Sequence, residues 1–273
     1  MITRRAALKG VLATTVGALT GTGVYGVAYE RHRIGVTDAT LPVSGLAPAL
    51  DGLRIGLLTD VHHSRMVPAV DVTRAVDLLR AAKPDLIVLG GDYVTWGERA
   101  YVHPVAELLA PLSAPHGVFA ILGNHDDDRD MPKALTAHKF AVLKDQRTRI
   151  RVRGEPIELA GIRFWTRRST DIARVLRGAT DTTILLAHDP RRLTQAAALG
   201  VPAVLSGHTH GGQIVLPGIG AIARRQFPVV AGLGRRDNTN IFVSRGVGTV
   251  YVPIRVNCPP EVAIVTLRRQ DAI

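Results

Sequence analysis

The chain has 273 residues, 46% of them apolar and 21% charged, which excludes a disordered chain and leaves ample material for one large core. Its single cysteine, Cys258, excludes an internal disulfide and a thiolate-rich zinc site, so any metal must bind through nitrogen and oxygen. The net charge of +11 suits phosphate-rich or anionic partners, but the arginine pairs Arg167-Arg168, Arg191-Arg192, Arg224-Arg225 and Arg235-Arg236 have no interleaved aromatics, which argues against a stacking platform for single-stranded nucleic acid.

The chain opens with Thr3-Arg4-Arg5-Ala6-Ala7-Leu8-Lys9 and continues as an apolar, Gly- and Thr-rich stretch to Ala28. A cationic head, an apolar body and small residues at its end predict an export signal over 1–28, and the paired arginines resemble a twin-arginine signal. Cleavage near Gly26-Val27-Ala28 and retention as a membrane anchor both fit, since the apolar stretch is close to the shortest that spans a bilayer. Residues 29–52, with Pro42, Gly45 and Pro48, read as an extended lead-in, and residues 53–270 as one domain.

Five short apolar runs follow: Leu53–Leu58, Leu86–Leu89, Val118–Leu122, Thr183–Ala187 and Ala203–Leu205. Their length, and the Gly, Pro, Asp and Thr that bound them, predict buried strands. Val72, Ala75, Val76 and Leu79 recur at helical spacing and predict a helix over 70–82, closed by Pro84. Further helices are predicted at Val105–Leu109, Asp171–Arg177 and Arg191–Leu199, the last with Asp189 as cap and Pro190 in the first turn. Ile241–Ser244, Val250–Val252 and Val262–Leu267 read as strands. Strands alternating with helices predict an α/β domain.

Each of the five runs leads into side chains that bind metal. The first gives Asp60 and His62, the second Gly90-Gly91-Asp92, and the third Gly123-Asn124-His125-Asp126. The fourth gives His188-Asp189, and the fifth Gly207-His208-Thr209-His210. Ligands of α/β folds gather beyond the carboxyl ends of strands, so five strands side by side would place these groups in one cleft. Carboxylate, amide and imidazole donors without thiolate suit manganese, iron or zinc. The donors are too many for one ion; two ions sharing a carboxylate use them all. Such a pair, about 3.5–4 Å apart, suits displacement at phosphorus, with metal-bound hydroxide as nucleophile.

With these residues in this order, the chain resembles the calcineurin-like metallophosphoesterases over about residues 53 to 267. The resemblance implies a four-layer α/β/β/α sandwich of two mixed sheets. It implies two divalent metal ions: Asp60, His62 and His210 on the first, Asn124, His188 and His208 on the second, and Asp92 bridging both. His125 would be the acid, or would stabilise the departing oxygen, with Asp126 orienting its ring. The stretches Gly207–Gly218 and Arg255–Leu267 resemble a bacterial, exported or membrane-associated branch, some of whose members are linked to phospholipid or lipid-linked pyrophosphate substrates.

The reading that results is a metal-dependent hydrolase of a phosphomonoester, phosphodiester or pyrophosphate, acting on an amphipathic substrate outside the cytoplasm or at an anionic membrane surface. It would be exported by the twin-arginine machinery, and nucleic acid is a disfavoured partner. Rival readings are a nuclease or cyclic-nucleotide phosphodiesterase on the same metals, a metal-holding binding protein without turnover, and a charge-driven nucleic-acid binder. His63 is a candidate substrate contact. Arg255 is a candidate phosphate ligand or a structural ion pair. His32, His103, His116 and His138 read as surface or packing residues. Loops 95–101 and 216–234 are expected to shape the pocket.

Overall fold

The computed structural model describes residues 3–221 and 225–270, so Arg224, and with it the Arg224-Arg225 pair, lies outside the described residues. In chain order the elements are α1 (Arg4–Ala28), β1 (Gly35–Ser44), β2 (Arg54–Leu58), α2 (Ala69–Ala81), β3 (Leu86–Leu89), α3 (Val102–Leu109), β4 (Val118–Ala120) and α4 (Asp130–Ala137). Then come β5 (Ala141–Val142), β6 (Gln146–Val152), β7 (Glu155–Ile162), α5 (Ser169–Leu176), β8 (Thr183–Ala187), α6 (Leu193–Ala198) and β9 (Ala203–Ser206). The last are β10 (Val215–Leu216), β11 (Gly220–Ala221), β12 (Gly232–Arg236), β13 (Thr239–Val243) and β14 (Glu261–Gln270).

Two six-stranded mixed sheets carry the fold, in the orders β1-β14-β2-β3-β4-β5 and β12-β13-β9-β8-β7-β6. The five apolar runs therefore do not lie side by side. Three of them run parallel in the first sheet and two in the second. The sheets bury one face against each other through Leu53, Ile55, Leu57, Val88, Ile184, Leu186, Leu205 and Val265. The outer face of the first sheet is covered by α2, α3 and α4, with Val72, Val76, Leu79, Val105, Leu109 and Leu135 in its core. The outer face of the second is covered by α5 and α6 through Ile172, Leu193 and Ala196. This is the α/β/β/α sandwich; both faces of each sheet are buried, which is why the central strands are uninterrupted apolar runs.

Local chemistry explains the helices. The four apolar positions of α2 are all buried, Asp71 lies in its first turn and Arg80 in its last, and both charges complement the helix dipole. The segment after β8 begins as a 3-10 turn, Pro190–Arg192, before α6; the Asp189 side chain caps it by accepting the Arg191 N–H.

Several expectations are revised. The lead-in 29–52 is extended, but ten of its residues form β1, paired parallel with β14 along its length. Val250–Val252 is not a strand: the Val250 N–H donates to the Gln213 side chain instead of a neighbouring strand, and Pro253 has no N–H to give. The β6–β7 hairpin and α4 were absent from the sequence reading. Among the described residues no helix is long and apolar enough to cross a membrane. The far end of α1 meets the folded body, where a Cβ on Gly26 would press against the Arg255 carbonyl and the Ile254 side chain.

Candidate dinuclear metal site

The turns that follow β2, β3, β4, β8 and β9 converge where the two sheets meet. Asp60 and His62 follow β2, Asp92 follows β3, and Asn124, His125 and Asp126 follow β4. His188 follows β8; His208 and His210 follow β9. Cross-sheet bonds fix the approach. The His208 N–H donates to both oxygens of Asp60 at 2.9 and 3.0 Å, and His188 Nδ1 lies 2.8 Å from the Gly90 carbonyl. Close approach accounts for two glycines. A Cβ on Gly207 would overlap the Asp60 carboxylate, and one on Gly123 the Asp92 carboxylate.

The donors fall into two groups, Asp60 with His62 and His210, and Asp92 with His188 and His208. Within each group one ligand atom per residue lies within 4.8 Å of the others. Asp92 sits between the groups, its Oδ2 being 3.5 Å from His62 Nε2 and 3.1 Å from His188 Nε2. His62 Nε2 and His210 Nε2 are 3.1 Å apart. Asp60, His62, Asp92, His208 and His210 all have positive φ, between 49° and 72°. Non-glycine residues held there cost about 1–3 kcal/mol each and are typical of sites whose geometry outranks local comfort.

The donor set fits divalent cations. Asn124 Oδ1 and His188 Nε2 are buried without a hydrogen bond of acceptable geometry. Burial holds His62 down to about 3 and His208 to about 4, and drives His210 well below the usual imidazole range, so these rings keep the neutral form a metal ligand needs. Burial raises Asp60 to about 6, opposed by His188. Burial also opposes the charge on both His188 and Asp92, yet their mutual attraction wins: His188 rises to about 10 and Asp92 falls below the carboxylate range.

His125 lies beside both groups without joining either. Its ring meets His62 edge-on at 4.8 Å, and its Nδ1 accepts the Trp96 N–H at 3.0 Å, leaving the proton of the neutral ring on Nε2. Asp126 does not orient that ring. Its carboxylate accepts N–H bonds from Asp92, Tyr93 and Gly123 at 2.8–2.9 Å, fixing the backbone that presents Asp92. Both of its oxygens accept backbone N–H groups.

Among the described residues Arg255 forms no ion pair. It is fully buried and donates to the carbonyls of Arg245, Gly246, Gly248 and Cys258. His63 is also turned away from the site, with Nδ1 3.0 Å from the Val67 carbonyl and its ring against Tyr101. His32 pairs with Asp71 at 2.7 Å.

Aromatic residues frame the site, and the sequence reading missed most of them. Phe164 lies 5.1 Å from the His208 ring, Phe227 5.5 Å from it, and Trp96 4.4 Å from His125. Arg167 lies over Phe164 and Trp165, and Arg191 over Phe227, so two of the arginine pairs do meet aromatics. The Phe164-Trp165-Thr166-Arg167 run was the available signal.

A model of the calcineurin-like phosphoesterase family matches residues 53–212. The chain is 34% identical to "Uncharacterized metallophosphoesterase YkuE" of Bacillus subtilis over 98% of both chains. It is 32% identical to "Phosphodiesterase YaeI" of Escherichia coli, over 78% of this chain and 82% of that one. It is 30% identical to "Transmembrane protein with metallophosphoesterase domain" of Danio rerio, over 97% of this chain but only 65% of the longer relative. The chain belongs to the calcineurin-like phosphoesterase family and is a metal-dependent phosphoester hydrolase.

Proposed function

We propose that this hydrolase cleaves a phosphodiester at a two-metal centre, and that its substrate is amphipathic. In this reading Asp60, His62 and His210 hold one ion, Asn124, His188 and His208 the other, and Asp92 is shared. The observation that carries it is the position of the Asp92 carboxylate between two separate groups of buried donors. Two divalent ions bound there supply positive charge to the phosphoryl oxygens and lower the pKa of water. The donor set suits manganese, iron or zinc.

The protein's own groups do the rest. Trp96 fixes His125 with its proton on Nε2, on the side away from the backbone, so His125 donates a hydrogen bond to the departing oxygen. Asp126 keeps Asp92 in its strained turn and acts by positioning. The phosphodiester preference rests on the likeness to the Escherichia coli phosphodiesterase.

An amphipathic substrate is supported by the exposed Trp96, Trp165 and Tyr251 near the site, and by the net charge of +11, which favours an anionic lipid surface. Twin-arginine export is supported by the exposed Arg4 and Arg5 ahead of the apolar segment, and puts the enzyme outside the cytoplasm.

Hydrolysis of bis-p-nitrophenyl phosphate and of the monoester, with Mn²⁺ and with EDTA, tests the reading. Release from the diester should exceed that from the monoester, stop with EDTA, and disappear in His208→Ala. Turnover that persists in EDTA, or in the variant, would overturn the two-metal assignment.

A further inference from the structure

A cavity of about 300 Å³ adjoins the candidate metal-site histidines; it is lined by Arg191, His208, His210, Phe227 and Tyr251, among others. Phe227 links the two regions. Its ring meets His208 edge-on at 5.5 Å, and the Arg191 guanidinium lies over it at 5.2 Å. Another part of the wall is Tyr251, 73% exposed and 5.5 Å from Trp96. Gln213 builds that wall. It accepts the Val250 N–H at 2.6 Å and reaches the Val252 carbonyl, holding Tyr251 at a φ of 64°.

Arg191 is preset for an anion. Its Nε donates to both oxygens of Asp189 at 2.9 and 3.0 Å, which fixes the plane of the guanidinium. Among the described residues, neither of its Nη atoms has an acceptor, and its side chain is 45% exposed. Asp189 does not neutralise it alone, because the same carboxylate also serves Arg192 Nη2 at 3.2 Å. Two guanidinium groups share one carboxylate, and the free donor edge belongs to Arg191. A larger cavity lined by Trp165 and Thr166 differs on this point, since its arginines Arg163 and Arg174 are paired with Asp145 and Asp171.

We propose that Arg191 is a specificity-determining residue that binds a second anionic group of the substrate, while the organic part lies between Phe227 and Tyr251. A phosphoester carrying a further phosphate or carboxylate meets this description, whereas a simple dialkyl diester leaves the guanidinium edge unused. Planar forked donors suit both anions. The inference rests on the metal site holding the reacting phosphoryl group.

The test uses the full-length chain, with Mn²⁺ in excess, and three kinds of probe: methylphosphonate, phosphonoacetate, and alkane bisphosphonates of one to four carbons. Affinities are read by calorimetry and by inhibition of bis-p-nitrophenyl phosphate hydrolysis. The best probe with a second anion should bind about tenfold more tightly than methylphosphonate. In Arg191→Gln that advantage should fall below about twofold, and Arg191→Lys should restore part of it. An advantage shared by phosphonoacetate identifies carboxylate as an accepted second group; one confined to the bisphosphonates identifies phosphate. Equal binding of singly and doubly anionic probes by the wild type would overturn the proposal, and so would an advantage that survives in Arg191→Gln. Absence of all Mn²⁺-dependent hydrolysis would instead count against the phosphodiesterase reading beneath it.

Discussion

Asp126 illustrates how a motif residue can be recognised and its task misread. The run Gly123-Asn124-His125-Asp126 marks a site because amide, imidazole and carboxylate stand together after a buried strand. Nothing local says which partner each one takes, and the backbone donors that occupy Asp126 come from two different turns. The same limit applies to Arg255, whose carbonyl partners are supplied by a loop that only the fold assembles. The metal-binding residue types are legible because their chemistry is intrinsic; the supporting contacts are not. Asp126→Asn keeps the size of the side chain but turns one acceptor into a donor, facing backbone N–H groups. At least one of three donors then loses its partner, at a cost of about 1–3 kcal/mol. Denaturant unfolding should show a lower midpoint, and metal titration a weaker second binding step as Asp92 loosens. An unchanged midpoint with turnover alone reduced would restore the role of orienting His125.

At the level of elements, the buried strands were readable and the edge strands were not. β8 is buried at every residue and reads as a plain apolar run, whereas β6 buries only Val152 and carries Arg147, Arg149 and Arg151. Its pairing with β7 is held by the hairpin ladder and by the Arg147–Glu158 ion pair, neither of which leaves a periodic apolar signal. β1 hides in the same way, because its first half is largely exposed. The segment after β13 has another logic. Residues 244–258 run beneath the site without regular pairing, and Arg255 replaces the missing ladder by bonding to several of their carbonyls at once. Arg255→Met fills the volume but leaves those buried acceptors without a donor. The expected loss is about 3 kcal/mol or more, with faster hydrogen exchange confined first to 244–258 and to the turn holding His210. Uniform exchange throughout the chain would show that the loop is held by something other than this side chain.

For the molecule as a whole, the decisive feature is that the candidate ligands come from both sheets. Asp60, His62, Asp92 and Asn124 follow strands of the first, and His188, His208 and His210 follow strands of the second. Apolar runs cannot reveal this division, since a strand looks the same whichever sheet it joins; only the resemblance to a known family implied two sheets. Metal ions held by these residues would tie the sheets together at one end of their shared core. The buried Asp60 and Asp92 carboxylates lie close enough to repel each other, and several candidate ligands sit in strained turns. Ions that bind the folded state alone would therefore stabilise the whole sandwich. At a free ion concentration about a hundredfold above the dissociation constant, one site contributes about 2.7 kcal/mol, which for a chain of this size raises the melting temperature by about 5–10 °C. Scanning calorimetry with Mn²⁺ and then with EDTA should show that difference, and Asp92→Asn should abolish most of it if Asp92 serves both ions as proposed. A melting temperature indifferent to metal in the wild type would mean that the ions are not held between the sheets.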